Sequence, residues 1–309
     1  MKTLKLLLCM LLLPAAEVLA EGPVTLYAIG DSTMAPNTKC DEDPGDPGRG
    51  WAEPLQQFFD PAQLVVRNCA VSGRSTKSFI DEGRWQKVLD RIAPGDLLPI
   101  QFGHNDAKKS DPKRYTDPET TFKENLRRFV NEARGKGATP ILATSIVRRQ
   151  FNKDGTLRDS HGRYVPAAAE VAAELNVPLV DMNRLTGELV LKYGPEESKK
   201  LYLYVEPNVA ERFPDGNADD THLCIRGAEE FAALFAEACA AFGAADVEHI
   251  RELCDVCQRH TGIRREAVAE ACAIQKQRHG KLLANGRNVL QLVSRVKRAV
   301  FRRMGDVHH

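Results

Sequence analysis

Short apolar runs bounded by Gly, Pro or Asp alternate with longer amphipathic stretches from Pro23 to about Gly243. Runs of this kind are typical of buried parallel strands. We predict strands at Val24–Ile29, Leu64–Val71, Leu97–Phe102, Pro140–Val147 and Val177–Met182. We predict helices at Ala52–Phe59, Arg84–Arg91, Pro118–Arg134, Pro166–Leu175 and Ile225–Ala241. The alternation indicates an α/β fold in which helices cover both faces of a parallel sheet.

Polar clusters follow three of the predicted strands, at the points where those strands end. They are Asp31-Ser32, Ser72-Gly73-Arg74 and Gly103-His104-Asn105-Asp106. Ligands of open α/β sheets bind beyond the carboxyl ends of the strands. The functional site is therefore predicted at this edge of the sheet.

The chain begins with a pattern typical of a secretory signal peptide. Lys2 and Lys5 precede the apolar run Leu6–Leu13, and Val18–Ala20 offers small residues for cleavage. An apolar run this short does not span a bilayer of about 30 Å. We expect residues 1–20 to be a removed leader, the mature protein to have no stable membrane insertion, and its location to be secreted or periplasmic.

Composition limits the function classes. The 309 residues carry 43 Lys+Arg and 42 Asp+Glu, a net charge of +1, and 43% are hydrophobic. Nucleic-acid-binding chains carry a marked basic excess, so no nucleic-acid partner is expected. The length fits one sizeable domain, at residues 21–243, plus an appendage.

That appendage, residues 244–309, is basic, with 13 Lys+Arg against 7 Asp+Glu. Its pattern predicts helices at Asp246–Arg259, Ile263–Arg278 and Val289–Arg303. We interpret it as a helical extension packed on the main domain. The alternative is a basic surface that contacts an anionic polymer or lipid. Its cysteines, with Cys254 and Cys257 three apart, favour disulfides over a zinc site in an exported chain.

Ser32 lies at a tight strand-to-helix turn and is a candidate nucleophile, although a serine there also commonly caps a helix. A serine hydroxyl needs a base, and His222 is the candidate. Asp219 stands three residues before His222 and can fold back within one turn to accept from its ring. Asp220 is a rival for that role, and both acids could instead cap the following helix.

Acyl transfer also requires hydrogen-bond donors aimed at the developing oxyanion. Gly73 can present a bare backbone N–H, and Asn105 can present its side-chain amide. Both residues are also common in ordinary turns. His104 is predicted to support the loop beneath Asn105.

Together, Gly30-Asp31-Ser32, Gly73, Gly103–Asp106 and Asp219-x-x-His222 resemble the four sequence blocks of the SGNH (GDSL-like) hydrolases. The resemblance implies a flavodoxin-like, three-layer α/β/α fold with a five-stranded parallel sheet in the order 2-1-3-4-5. It implies Ser32 as nucleophile, His222 as base and Asp219 as its partner. It also implies an oxyanion hole of the Ser32 and Gly73 N–H groups with the Asn105 side chain, and neither metal nor cofactor.

A narrower resemblance is to the rhamnogalacturonan acetylesterases of carbohydrate esterase family twelve, from about Val24 to about Ala241. The segments that carry it are Asn68–Thr76 with Phe79, Gln101–Asp106, Arg148-Arg149-x-Phe151, His161-x-x-Tyr164 and Phe213–Gly216. It implies an acetylated pectic polysaccharide as substrate.

Arg74, Arg148 and Arg149 are candidate contacts for the uronate carboxylates of such a polymer. Ordinary surface ion pairs are the alternative for these arginines. Cys224 departs from the family pattern, and we expect it to be a small buried thiol.

Two other functions fit the same residues. One is an SGNH esterase acting on xylan acetyl esters, lipids or thioesters, because fold and triad do not fix the acyl group. The other is a non-catalytic glycan-binding protein on the same scaffold. The intact set of Ser32, Asn105, Asp219 and His222 argues against the second.

Overall fold

A computed structural model describes residues 22–37, 45–240 and 242. The predicted leader and the predicted basic extension, with its three helices, lie outside the described residues. None of the helices in the described ranges is long and apolar enough to cross a bilayer.

A five-stranded parallel sheet forms the centre of the molecule. Its strands are β1 Val24–Gly30, β3 Leu64–Asn68, β4 Leu97–Gln101, β5 Thr139–Ala143 and β6 Leu179–Val180. Their order is β3-β1-β4-β5-β6, with every neighbouring pair parallel. Counted along the chain, this is the predicted order 2-1-3-4-5, so the predicted fold is confirmed.

Helices cover both faces of this sheet. They are α1 Thr76–Asp81, α2 Arg84–Leu89, α3 Thr121–Gly135, α4 Tyr164–Glu174, α5 Met182–Glu197 and α6 Ile225–Ala240. Successive side chains of a strand point to opposite faces. Leu26 and Ala28 of β1 accordingly pack in one core with α5 and α6, while Tyr27 and Ile29 pack in a second core with α2, α3 and α4.

The boundaries of several elements differ from the predicted ones. The predicted helix Ala52–Phe59 is a short 3-10 helix, Pro54–Phe58. The fourth strand ends at Ala143, four residues early, and the following segment runs as a loop beyond the sheet edge. The fifth strand ends at Val180, because the Asp181 side chain accepts from the Arg184 N–H and begins α5.

Two helices and one sheet are missing from the prediction. Helix α1 has only six residues, begun by a capping box between Ser75 and Ser78. Helix α5 is kinked at Gly194, where φ is 76°, and Pro195 follows. The additional sheet is antiparallel, in the order β2-β8-β7. Its strands are β2 Gly48–Arg49, β7 Tyr202–Val205 and β8 Asn217–Cys224.

Strand β8 lies directly before the last helix, in a segment where the sequence predicts neither a strand nor a helix. Its sequence is mostly polar and lacks the alternation that marks a strand. Its pairing with β7 and β2 fixes it beside the carboxyl edge of the parallel sheet. This brings the Asp219-x-x-His222 segment to the loops that follow β1, β3 and β4.

Candidate active site

A tight turn at the end of β1 presents Ser32. A Cβ on Gly30 would lie 2.3 Å from the Met34 sulfur and 2.7 Å from the Gln101 carbonyl oxygen, so only glycine fits. The Asp31 carboxylate accepts from the backbone N–H and the hydroxyl of Thr33, at 2.9 and 2.8 Å. Ser32 itself remains half-exposed while both its neighbours are buried. The turn therefore holds the serine hydroxyl at the surface of a rigid support.

The structure brings Ser32, His222 and Asp219 into contact. The His222 Nε2 atom lies 2.9 Å from Ser32 Oγ, and Nδ1 lies 2.7 Å from Asp219 Oδ2. With its proton on Nδ1, the ring donates to Asp219, and Nε2 is left to accept the serine proton. Burial raises the pKa of Asp219, but the hydrogen bonds from His222 outweigh it and hold this pKa at about 2. Asp219 is therefore ionised at neutral pH.

A bulge in β8 produces this arrangement. Tyr202 of β7 pairs with Leu223, whereas the next residue, Leu203, pairs with Asp219. Residues 220–222 therefore have no register partner on β7 and loop outward. Within the loop the Asp219 carboxylate accepts from the N–H groups of Thr221 and His222, at 2.7 and 2.9 Å. The backbone folds back as predicted, but inside a strand.

Asp220 has a different set of partners. Its Oδ1 atom accepts from Arg149 Nε at 2.7 Å and from the Tyr204 hydroxyl at 2.6 Å. Its carbonyl oxygen accepts from the Arg149 N–H at 2.8 Å. Since its carboxylate is held by Arg149, Asp219 alone of the two aspartates contacts the His222 ring.

Three hydrogen-bond donors surround the serine loop. Within the described ranges, the backbone N–H groups of Ser32 and Gly73 have no hydrogen-bond acceptor. Gly73 has φ +78°, a conformation that glycine adopts without strain. The Asn105 side chain is 3% exposed, and its amide donates to the Arg74 carbonyl oxygen at 3.2 Å. Its second amide hydrogen remains for a ligand.

Two buried residues on either side of Asn105 connect its loop to the other two donor loops. His104 Nδ1 lies 3.2 Å from Asp31 Oδ2, next to Ser32. The Asp106 carboxylate accepts from the Thr76 N–H at 3.1 Å and from the Thr76 hydroxyl at 2.5 Å, three residues after Gly73. The spacing of the three hydrogen-bond donors is therefore fixed by buried hydrogen bonds.

These supporting contacts also shift the titration of both carboxylates. Burial alone would raise the pKa of Asp31. The charge and hydrogen bond of His104 outweigh that effect, so the pKa of Asp31 lies below its ordinary value. Burial raises the pKa of Asp106 to about 7, despite the hydrogen bonds from Thr76 and Thr116. The repulsion between Asp106 and Asp31 adds to this rise.

The three arginines predicted to contact substrate have different surroundings. Arg74 pairs with Glu82 at 3.0 Å, and Arg149 pairs with Asp220. Arg148 has no carboxylate partner among the described residues. An open cleft of about 570 Å³ adjoins Asp220, and its lining is mostly polar and charged, including Arg149, Asn152, Arg158, Glu196 and Lys199.

Cys224 was expected to be buried, and it is not. The side chain is half-exposed at the last residue of β8, and its thiol donates to the Lys200 carbonyl oxygen at 3.0 Å. It forms no disulfide. In the part of the chain that is described, no group of three His, Cys, Asp or Glu side chains could hold a metal ion.

Asp31, Thr76 and Asp106 stand in the motifs that the sequence offers, but no role is predicted for them, and Tyr204 is not predicted at all. The sequence does offer one indication for Asp31 and Asp106, because Asp31 directly precedes Ser32 and Asp106 directly follows Asn105. Thr76 contacts Asp106, which is 30 positions away, and Tyr204 contacts Asp220, which is 16 positions away. Contacts over such separations produce no local sequence pattern.

Comparison with known proteins supports an esterase site. The model of the GDSL-like Lipase/Acylhydrolase family matches residues 28–227. A rhamnogalacturonan acetylesterase of Bacillus subtilis (strain 168), RhgT, is 41% identical over 231 residues, covering 74% of this chain and 95% of the relative. A probable rhamnogalacturonan acetylesterase of the same organism, YesY, is 37% identical, covering 69% and 90%.

Two solved structures are also similar. The YXIM protein of Bacillus subtilis superposes with a TM-score of 0.59 at 26% identity, covering 78% of this chain and 58% of that one. A mutant of an acetyl-xylooligosaccharide esterase from Geobacillus gives a TM-score of 0.50 at 19% identity, covering 74% and 95%. The second likeness shows the shared fold alone.

The different partners of the two aspartates give the first prediction. Asp219→Asn leaves His222 without the carboxylate that fixes its tautomer, and we expect kcat for an activated acetyl ester to fall by about 10³–10⁴. Asp220→Asn keeps the Tyr204 hydrogen bond and should cost less than about tenfold. Steady-state kinetics of both variants test this. Equal losses would show that the bulge, and not the ring contact, sets the rate.

The raised pKa of Asp106 gives a second prediction, on the stability of the fold. The folded chain binds this proton more tightly than the unfolded chain does, where the pKa is near 3.8. Its contribution to the free energy of unfolding is therefore full below about pH 4 and is lost as the pH rises through about 7. Between these limits we expect wild type to lose stability relative to Asp106→Asn by on the order of 1 kcal/mol per pH unit.

Urea unfolding of both proteins at several values between pH 5 and pH 8 measures that difference. Titrating groups that do not interact with Asp106 behave alike in the two proteins and cancel. Parallel stability curves across this range would contradict the assigned titration.

Proposed function

The chain belongs to the GDSL-like lipase/acylhydrolase family and is a carboxylic ester hydrolase, and from that membership we propose that it removes O-acetyl groups from a pectic polysaccharide such as rhamnogalacturonan. The observation that carries the proposal is the continuous contact from Ser32 through His222 to Asp219 beside two unpartnered backbone N–H groups. This is the donor and acceptor set that acyl transfer to a serine requires.

Acylation begins with attack by Ser32 Oγ on the acetyl carbonyl carbon. His222 Nε2 takes the serine proton as the new C–O bond forms. The ionised Asp219 stabilises the imidazolium that results and keeps the ring oriented. No other base lies within hydrogen-bond distance of Ser32 Oγ in the described part of the chain.

The carbonyl oxygen becomes an oxyanion in this step. The N–H groups of Ser32 and Gly73 and the Asn105 amide would donate to it. Because the buried contacts of Asp31 and Asp106 fix these donors before substrate arrives, little reorganisation is needed when the charge develops. Collapse of the intermediate transfers the His222 proton to the departing sugar oxygen and leaves an acetyl-serine.

Deacylation repeats the same proton transfers with water. His222 accepts a proton from the water molecule as its oxygen attacks the acetyl carbon. The second tetrahedral intermediate then releases acetate, and His222 returns the proton to Ser32 Oγ.

Two observations support a glycan rather than a long acyl chain as the carrier of the ester. The cleft beside Asp220 has a polar and charged lining, and its volume of about 570 Å³ suits hydrophilic sugar units. The relatives with high coverage are named as rhamnogalacturonan acetylesterases. Both favour the pectic substrate over lipids and thioesters.

Acetate release from acetylated rhamnogalacturonan, assayed beside acetylated xylan and a long-chain nitrophenyl ester, tests the proposal. We expect release mainly from the pectic polymer and its reduction to background in Ser32→Ala. Ser75→Ala is the control, since that serine caps α1 and lies outside the triad. Release from xylan alone would keep Ser32 as nucleophile and reject the pectic substrate.

We also propose that the enzyme works outside the cytoplasm, as secreted or periplasmic protein. Lys2, Lys5 and the apolar run Leu6–Leu13 support export, and polymeric pectin is itself extracellular. N-terminal sequencing of protein from the medium and the periplasm should find chains that begin near Glu21. Active protein retained in the cytoplasm with Met1 intact would contradict this proposal.

A further inference from the structure

Two buried rings pack against the two sequence neighbours of Asn105. The ring of His161 stands edge to face with the ring of His104, with 4.6 Å between the centroids and 83° between the planes. Three residues further on, at the first position of α4, the Tyr164 hydroxyl donates to the Asp106 carbonyl oxygen at 3.0 Å. One short segment of the chain therefore supports the Asn105 loop on both sides of the asparagine.

The His161 ring is held in one orientation by a single hydrogen bond. Its Nε2 atom donates to the carbonyl oxygen of Ile146, a fully buried core residue, at 2.8 Å. Burial lowers the pKa of His161 to about 2, and the charges of His104 and Arg148 lower it as well. The ring is therefore neutral at neutral pH, and Nε2 carries its one proton because a carbonyl oxygen can only accept. Among the described residues Nδ1 has no hydrogen-bond partner. The contact with Ile146 alone thus orients the ring.

The Asn105 side chain has only long hydrogen bonds of its own. Its amide donates to the Arg74 carbonyl oxygen at 3.2 Å, and its oxygen accepts from Arg114 Nη1 at 3.3 Å. Both distances exceed the usual 2.9–3.0 Å for N–H···O bonds, so both contacts are weak. The direction of the amide therefore depends mainly on how the backbone at His104 and Asp106 is held.

We propose that His161 and Tyr164 are positioning residues for ester hydrolysis, which hold the Asn105 loop so that the Asn105 amide points at the developing oxyanion. The inference rests on the oxyanion role of Asn105 in the proposed function and extends it by one layer of contacts. His161 acts through the His104 ring, and Tyr164 acts through the Asp106 backbone. A displacement of about 1 Å at a reacting group can cost about 10²-fold in rate, so contacts outside the site can control kcat.

The competing role is that both rings only fill space in the core under α4. Phenylalanine fills nearly the same space, so His161→Phe and Tyr164→Phe separate the two roles. Each variant keeps a ring and deletes polar atoms: the first loses the donor to Ile146, and the second loses the hydroxyl that binds Asp106. A role in filling space leaves kcat unchanged in both variants, whereas a positioning role lowers it in both.

The experiment measures hydrolysis of p-nitrophenyl acetate, with active sites counted by labelling Ser32 to completion with an organophosphonate. Per labelled site, we expect each phenylalanine variant to lower kcat about tenfold or more and to leave KM within about threefold, because neither ring contacts substrate. Asn105→Ala alone should cost about 10²–10³ in kcat. His161→Phe added to Asn105→Ala should cost less than about threefold more, because two residues that act through one group are not additive.

Matched controls are Tyr193→Phe and Arg163→Gln. The first also deletes a hydrogen-bonded hydroxyl, which donates to Glu230 at 2.8 Å, and the second replaces an exposed side chain that lies between the two rings in sequence. Both should keep kcat within about twofold of wild type, as surface substitutions usually do. The count of labelled sites shows whether a variant folds poorly, and in that case the other phenylalanine variant carries the test.

Two outcomes would overturn the inference. Values of kcat within about twofold of wild type in both phenylalanine variants would leave the rings with a space-filling role alone. Losses that multiply in the double variant would show that His161 acts on the rate by a route other than Asn105.

Failure of the inference can be distinguished from failure of the proposed function. Activity that is lost in Ser32→Ala and in Asn105→Ala but unchanged in the phenylalanine variants would keep the proposed mechanism and reject the positioning role. Full activity in Ser32→Ala or in Asn105→Ala would reject that mechanism and the inference with it. The pectic substrate enters neither result, because the reporter ester carries no sugar.

Discussion

Two buried carboxylates hold the candidate active site together. Asp31 and Asp106 are both fully buried, and each connects one neighbour of Asn105 to another loop of the sheet edge. A buried carboxylate without hydrogen bonds is so costly that each of these contacts is strongly favoured once the fold forms. The Ser32 turn, the Gly73 turn and the Asn105 loop are therefore constrained as one unit, which keeps their hydrogen-bond donors in fixed relative positions.

The fourth part of the site, the Asp219–His222 segment, is held in place by a separate set of contacts. Arg149 binds both the carboxylate and the carbonyl oxygen of Asp220, and it thereby anchors the first residue of the bulge to the loop after β5. Two adjacent aspartates thus have different roles: one holds the loop in place, and the other contacts the imidazole. The low pKa of Asp219 follows from that division, because only this carboxylate receives the hydrogen bonds of His222.

The parts of the fold and of the candidate site that depend on short stretches of sequence could be predicted. The parallel strands are apolar runs, and the donor residues stand directly after them, so the parallel sheet and the approach of Ser32 to Asn105 were predictable, whereas the strand order came from the family resemblance. The elements that were not predicted depend on contacts between residues far apart in the sequence or on a local interruption of a helix. Strand β8 is polar and exists only by pairing with β7 and β2, and α5 is interrupted by Gly194 and Pro195. The three-residue spacing to His222 favoured Asp219 over Asp220, but the bulge that produces this contact is encoded by no local pattern.

The carboxylates at this edge of the sheet differ in how far their hydrogen bonds offset burial. Asp31 accepts from His104 and Asp219 accepts from His222, and the pKa of each lies below its ordinary value. Asp106 accepts from threonine hydroxyls, and burial nevertheless raises its pKa to about 7. The carboxylate that contacts the imidazole is therefore ionised at neutral pH, whereas the one that holds the Asn105 loop gains and loses its proton in that range.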